Sequence, residues 1–257
     1  MSSLQQYTVE QLTFEHRTRK VYRRGHGPAV IVLSEIPGIT PNVIRFADAV
    51  ADAGCTVVMP HLFGKDGHEP TTAQMATVTG QVCVSREFTM LAKGKSSPIV
   101  AWLRQLAAFE HGRCGGPGVG AVGMCMTGGF ALGMMVEPSV IAPVLSQPSI
   151  PLAVGPLKKS RAAAIDISDS DLATVKGRLS ADPDLCVLAY RFERDPLVPP
   201  ERFRHLEAEL GDRFIGRSFP SSSSKDHSVL TESLQQSALD EVIEFLRRQL
   251  GVANRNG

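Results

Sequence analysis

No stretch of the 257-residue chain is apolar for long enough to span a bilayer or to form the core of an export signal, and the N-terminal MSSLQQYTVEQLTFEHRTRK is polar and charged. These features predict a cytoplasmic protein without a membrane partner. A block of one charge is also missing. Lys and Arg number 27 against 26 Asp and Glu, for a net charge of +1, and no basic arm or stripe of interleaved aromatic and basic residues occurs, which argues against a nucleic-acid surface. Cysteine is scarce and unpatterned. Cys55, Cys83, Cys114, Cys125 and Cys186 are odd in number and contain no C-x-x-C pair, so neither a disulfide framework nor a structural zinc cluster is expected. They are read as reduced thiols, with no metal site. There is no internal repeat and no long linker, and with 43% hydrophobic residues the chain is expected to form one domain over 1–257.

What is present is an alternation of apolar runs of strand length with segments of helical period, the rhythm of βαβ units. AVIVLSE (29–35) reads as a buried strand, PNVIRFADAVADAG as an amphipathic helix stopped by Gly54, and CTVVMP as the next strand. A helix near PIVAWLRQLAAF precedes the strand VGAVGM and the helix GGFALGMMV. The strands VIAPVLS and LCVLAYRF, the helix PERFRHLEAELG, the strand FIGRSFP and a last helix SLQQSALDEVIEFLRRQLG follow. YTVEQLTFE and RTRKVYRR, within residues 1–27, read as antiparallel edge strands of a mostly parallel, doubly wound sheet with helices on both faces. Residues 149–180 give no clear pattern beyond a loop and a helix. Cys55 and Cys186 open strand-like runs as small core residues. Cys83 and Cys114 receive no assignment.

GVGAVG (118–123) satisfies the G-x-G-x-x-G pattern, but a dinucleotide fingerprint must follow a strand and open a helix. Here the glycines fall inside a strand preceded by the loop EHGRCGGP. Centred instead on Cys125, the segment reads as strand, tight turn and helix: Gly123, Met124, Cys125, Met126, Thr127, then Gly128 and Gly129. That pattern is a nucleophile elbow, in which small neighbours let strand and helix approach and the turn exposes the nucleophile at the carboxyl edge of the sheet. The following amides then face a developing oxyanion. Taken alone, Cys125 reads equally well as a small buried residue at a glycine-rich turn. Its partners distinguish the two readings. In this architecture an acid and then a base follow the nucleophile, each after a strand. Asp195, in AYRFERDPLVPPERF, fits the acid, and His227, in SFPSSSSKDHSVL, fits the base. Asp195 alone could be an Asp-Pro turn former and His227 a solvated loop histidine; their order and positions together favour the triad. His61, in MPHLFG, reads as shaping the loop after its strand.

On VIVLSEIPGITPNVIRFADAVADAGCTVVMPHLFG, VGMCMTGGFAL, RDPLVP and DHS, the sequence resembles the dienelactone hydrolase family, cysteine members of the α/β-hydrolase fold, from about residue 28 to residue 248. The resemblance implies Cys125 as nucleophile, Asp195 as orienting acid and His227 as base. It also implies that Glu35 holds the resting thiol and takes up its proton, and that Ile36 and Met126 supply oxyanion amides. Two positions depart from the family pattern. Thr127 stands where the familiar elbow has glycine, which requires its side chain to point away from the strand. Thr231 stands four residues after the histidine, where a substrate-holding arginine would support dienelactone itself, leaving Arg86 in CVSREF as the remaining cation for a substrate carboxylate.

The expected activity is opening of an ester or enol lactone through a cysteinyl acyl intermediate, on a small-molecule substrate and without metal or organic cofactor. A broader carboxylesterase or thioesterase on the same triad is the alternative enzyme. A non-catalytic ligand-binding or thiol redox-sensing protein is the alternative from another class. The sequence does not specify the oligomeric state.

Overall fold

The computed structural model describes residues 3–69, 71–84, 97–153 and 155–253. Eight strands form one sheet in the order β1-β2-β4-β3-β5-β6-β7-β8. They are β1 Thr8–Phe14, β2 Arg17–Gly25, β3 Ala29–Leu33, β4 Thr56–Pro60, β5 Val119–Met124, β6 Val140–Ser146, β7 Val187–Phe192 and β8 Phe214–Phe219. β1 pairs antiparallel with β2 and β2 antiparallel with β4; every later pairing is parallel. The two N-terminal runs are therefore the expected antiparallel ribbon on a parallel sheet. This is the α/β-hydrolase fold.

The central strands read as continuous apolar runs because both faces of the sheet are covered. In β3, Val30 and Val32 join one apolar cluster and Ala29, Ile31 and Leu33 the other, following the period of two. The first face is packed by α1 (Pro41–Asp52) through Val43, Phe46 and Val50 and by α8 (Gln236–Gln249) through Val242, Phe245 and Leu246. The second is packed by α3 (Pro98–Cys114) through Trp102 and Leu103, α4 (Gly128–Met134) through Phe130 and Leu132, α6 (Asp169–Ala181) through Val175 and α7 (Pro200–Leu210) through Leu206. Two further helices are α2 (Thr72–Val84) and the four-residue α5 (Lys158–Arg161).

Local signals explain where α1 sits. Thr40 caps it by accepting a hydrogen bond from the Val43 amide, Pro41 occupies its first turn, and Gly54, at φ +97°, takes the left-handed turn beyond its end. Cys55 is buried as expected, and burial pushes its thiol up to about 11, whereas Cys186 is only half-buried. Gly120 and Gly123 lie inside β5, so GVGAVG opens no helix. Among the described residues, no helix is long and apolar enough to cross a membrane.

Candidate active site

The parallel strands β3, β5, β6, β7 and β8 end on the same edge of the sheet, and the chain leaving each of them carries one part of the site. β3 leads to Glu35, β5 to Cys125, β6 to Gln147 and Ser149, β7 to Asp195, and β8 to His227.

Cys125 adopts φ +53°, a left-handed conformation that costs a non-glycine residue on the order of 1–3 kcal/mol and persists only where its surroundings enforce it. The enforcement is visible. A Cβ on Gly123 would lie 2.1 Å from the Thr127 carbonyl oxygen, and one on Gly128 would lie 2.6 Å from Pro148 Cα. The Ser149 amide donates to the Cys125 carbonyl at 3.0 Å. Thr127 does not point away from the strand, as its replacement of glycine had suggested. It is fully buried; its Oγ1 accepts from the Met124 amide at 2.9 Å, and its one proton faces the carbonyls of Met124, Leu33 and Ser34 at 2.9, 3.2 and 3.3 Å. The shifted glycine pair leaves room for this threonine to tie the elbow to the ends of β5 and β3.

His227 Nδ1 lies 2.7 Å from Asp195 Oδ2. The other Asp195 oxygen accepts the Leu197 amide at 2.9 Å, so the Asp-Pro turn and the histidine partner are one residue. Among the described residues, His227 Nε2 is buried with no hydrogen-bond partner of good geometry, and a carboxylate oxygen of Glu35, Cys125 Sγ and a ring nitrogen of His227 all lie within 4.8 Å of one another. Burial works to lower the His227 pKa, but the thiol of Cys125 and the Asp195 carboxylate outweigh it and raise it well above the ordinary value. The serine-rich loop before His227 is closed by Asp226, which accepts from the Ser223 amide and the Ser222 hydroxyl at 2.9 and 2.8 Å.

Glu35 is buried. Its carboxylate accepts from Ser228 Oγ at 2.6 Å, from the Thr231 hydroxyl and from Gln147 Nε2 at 3.3 Å. Burial pushes it above the ordinary carboxylate range, against the downward pull of the Ser228 and Thr231 hydroxyls and of His227. The hydrogen-bond partner found for Cys125 Sγ is Ser149 Oγ, at 3.3 Å. Gln147, at φ +36°, also accepts from the Val229 amide at 3.2 Å, which ties the Glu35 cluster to the loop after His227.

Cys125, Met126, Glu35, Ile36, Ser149 and His227 border one cavity of about 270 Å³. Arg86 lies outside the described residues, as does the side chain of Cys83. His61 pairs with Asp66 at 2.7 Å and shapes its loop, as expected. Cys114 accepts from Arg23 at 3.0 Å, away from this cavity.

Ser149, Gln147, Ser228 and Arg202 were not anticipated from the sequence. Arg202 is fully buried and donates to the carbonyls of Pro148, Pro151 and Ala164, each at 2.7 Å. It binds the segment carrying Ser149 and Leu152 to α7, and burial lowers its pKa to about 10. α2, also unanticipated, places Met75 and Thr79 on the cavity.

The sequence model of the dienelactone hydrolase family matches residues 17–166. No curated protein gives a significant sequence match. Among solved structures, the chain is similar to a Klebsiella pneumoniae protein designated a dienelactone hydrolase, at 15% identity and TM-score 0.64 over 96% of this chain and 98% of that one. It is similar to an esterase of Pyrococcus furiosus at 15% identity and TM-score 0.62, covering 95% and 92%. A lidless α/β serine hydrolase of Xanthomonas campestris aligns at 12% identity and TM-score 0.59, covering 97% of each chain. At these identities the structural likeness concerns the fold.

Proposed function

The chain belongs to the dienelactone hydrolase family, a membership that supports an ester hydrolase, and we propose that it opens small esters or enol lactones through a cysteinyl acyl-enzyme. The observation that carries this reading is Cys125 at φ +53° on the carboxyl edge, within 4.8 Å of a histidine held by a buried aspartate.

In the proposed reaction Cys125 passes its proton, shared with Glu35 in the free enzyme, to His227 as Sγ attacks the acyl carbon, and the amides of Ile36 and Met126 hold the tetrahedral oxyanion. Collapse breaks the acyl–oxygen bond. The leaving enolate oxygen takes that proton from His227, which leaves the imidazole neutral, and sulfur retains the acyl group as a thioester. His227, oriented by Asp195, then removes a proton from water as it attacks the thioester, and the acid and the thiol are released. An enol lactone suits this machinery because its leaving group is a stabilised enolate that needs little protonation. Glu35, close to the sulfur and raised above its ordinary pKa by burial, supports a role as holder of the thiol proton in the free enzyme. The scheme uses no metal or organic cofactor.

The test is turnover of a panel of lactones, aryl esters and acyl thioesters, with peptide mass spectrometry on samples quenched during turnover. An acyl mass on the peptide containing Cys125, absent in Cys125→Ala, is expected. Undiminished hydrolysis by Cys125→Ala would overturn the assignment. A purely thiol-sensing protein would be alkylated at Cys125 but turn over none of the panel, because it needs no deacylation base.

A further inference from the structure

The cavity in front of Cys125, about 270 Å³, falls just under the usual range of about 300–1,000 Å³ for small-molecule sites. Ile36, Pro37, Met126, Leu152 and Leu197 wall it largely with hydrocarbon. Its ionisable lining among the described residues is Glu35, Cys125, His227 and Glu232. Three of these carry negative charge or none, and the fourth, the His227 imidazole, holds its proton between the Asp195 carboxylate and Cys125. Glu232 is exposed to solvent and places a carboxylate at the entrance. Its neighbour Thr231 turns its hydroxyl to Glu35 and does not line the cavity.

We infer that this site selects uncharged esters or lactones with a small apolar acyl part and rejects carboxylate-bearing ones, with Glu232 as the residue that sets the charge preference. The inference rests on the ester-hydrolase reading. Two effects act in the same direction. A substrate carboxylate entering the cavity would lose its water against hydrocarbon, and the one cationic group among the described lining residues, the His227 imidazolium, is already paired with Asp195. It would also approach the Glu232 carboxylate, a like-charge contact that salt would screen.

The experiment uses two readouts, so that failure of the inference and failure of the hydrolase reading can be told apart. The first compares kcat/KM for a 4-nitrophenyl ester of pentanoate with that of the mono-4-nitrophenyl ester of glutarate, which has the same acyl chain length and a terminal carboxylate. The second needs no turnover: the rates at which iodoacetamide and iodoacetate alkylate Cys125, assigned by peptide mass, are divided and compared with the same ratio for N-acetylcysteine. Both ratios are expected to favour the uncharged reagent by roughly tenfold at low salt, to narrow as salt is added, and to fall about threefold in Glu232→Gln and further in Glu232→Lys. An alkylation ratio equal to that of N-acetylcysteine, or a preference for the glutarate ester, would overturn the inference. If Arg86→Gln then abolished that preference, the overriding cation would be Arg86. Ratios untouched by Glu232→Gln would remove Glu232 from the selection. If neither ester were hydrolysed, the hydrolase reading would fall while the alkylation ratio still decided the charge preference.

Discussion

The Thr127 hydroxyl, in the residue just before the helix that begins at Gly128, accepts the amide of Met124, on the other side of Cys125, at 2.9 Å. This bond closes the elbow in a chain whose glycine pair is displaced by one position, and it makes the threonine a requirement of the turn. Thr127→Val keeps the shape and removes the hydroxyl, leaving a buried N–H without a partner. The expected loss is about 1–3 kcal/mol of stability, read as a lower urea midpoint at unchanged slope, while Thr127→Ser retains most of it. Because the same bond fixes Cys125, turnover is expected to fall in the valine variant even well below its melting temperature.

The triad variants should separate by step. Cys125→Ala is expected to lose roughly 10⁴-fold or more in turnover, as triad knockouts do, with an unchanged circular dichroism spectrum. His227→Ala removes the deacylation base and should lower steady-state hydrolysis more than Asp195→Asn, which leaves the imidazole in place and costs it orientation. Rapid-quench measurement of acyl-enzyme checks this. A His227→Ala protein that neither accumulates thioester nor turns over more slowly would exclude His227 from the reaction.

Much of this site was legible because strand ends, chain order and small-residue turns are local signals. Cys125, Asp195 and His227 each follow an apolar run, and β3 through β8 contain the runs read from the sequence. The contacts around them were not legible, for a physical reason. Ser149 meets Cys125 across 24 positions, and Ser228 and Thr231 meet Glu35 across 193 and 196; single hydroxyls leave no periodicity. Nothing in the charged helical segment PERFRHLEAELG marks Arg202 as buried, yet it lies under carbonyls supplied by an irregular segment. α2 carries no strong apolar stripe in TAQMATVTGQVCV, so its helical period does not show in the sequence.

Asp166 provides a pH test. It is buried beside Gly129 of α4 with Oδ2 unpartnered among the described residues, and burial raises its pKa to about 7 from the ordinary 3.8. For a carboxyl raised on folding, the native state holds the proton more tightly than the unfolded chain between those two values. Its contribution therefore makes the protein less stable as pH rises from about 4 to about 7 and constant above that, a span on the order of a few kcal/mol. Asp166→Asn removes the titration, so the difference between unfolding free energies at pH 5 and pH 8 should shrink relative to wild type. An unchanged difference would show that this carboxyl is ionised in the folded protein at neutral pH.

Arg202 tests whether the segment over the site is held from beneath. The guanidinium supplies 2.7 Å hydrogen bonds to the carbonyls of Pro148, Pro151 and Ala164, and Pro148 adjoins Ser149, whose amide holds the Cys125 carbonyl. Arg202→Met fills similar space and leaves these buried acceptors without donors, with an expected cost of about 3 kcal/mol or more. Arg202→Lys keeps the charge but cannot reach three divergent carbonyls at once. The lysine variant is therefore the informative one: it should fold with a modestly lower urea midpoint, and the segment around Ser149 and Leu152 should loosen. Because Leu152 lines the cavity and Ser149 touches the sulfur, a rise in KM together with a fall in kcat is expected. Faster proteolytic cleavage between residues 149 and 165, with the remainder of the chain protected, should accompany it. Wild-type kinetics combined with uniformly faster proteolysis would mean that Arg202 stabilises the fold without positioning the site.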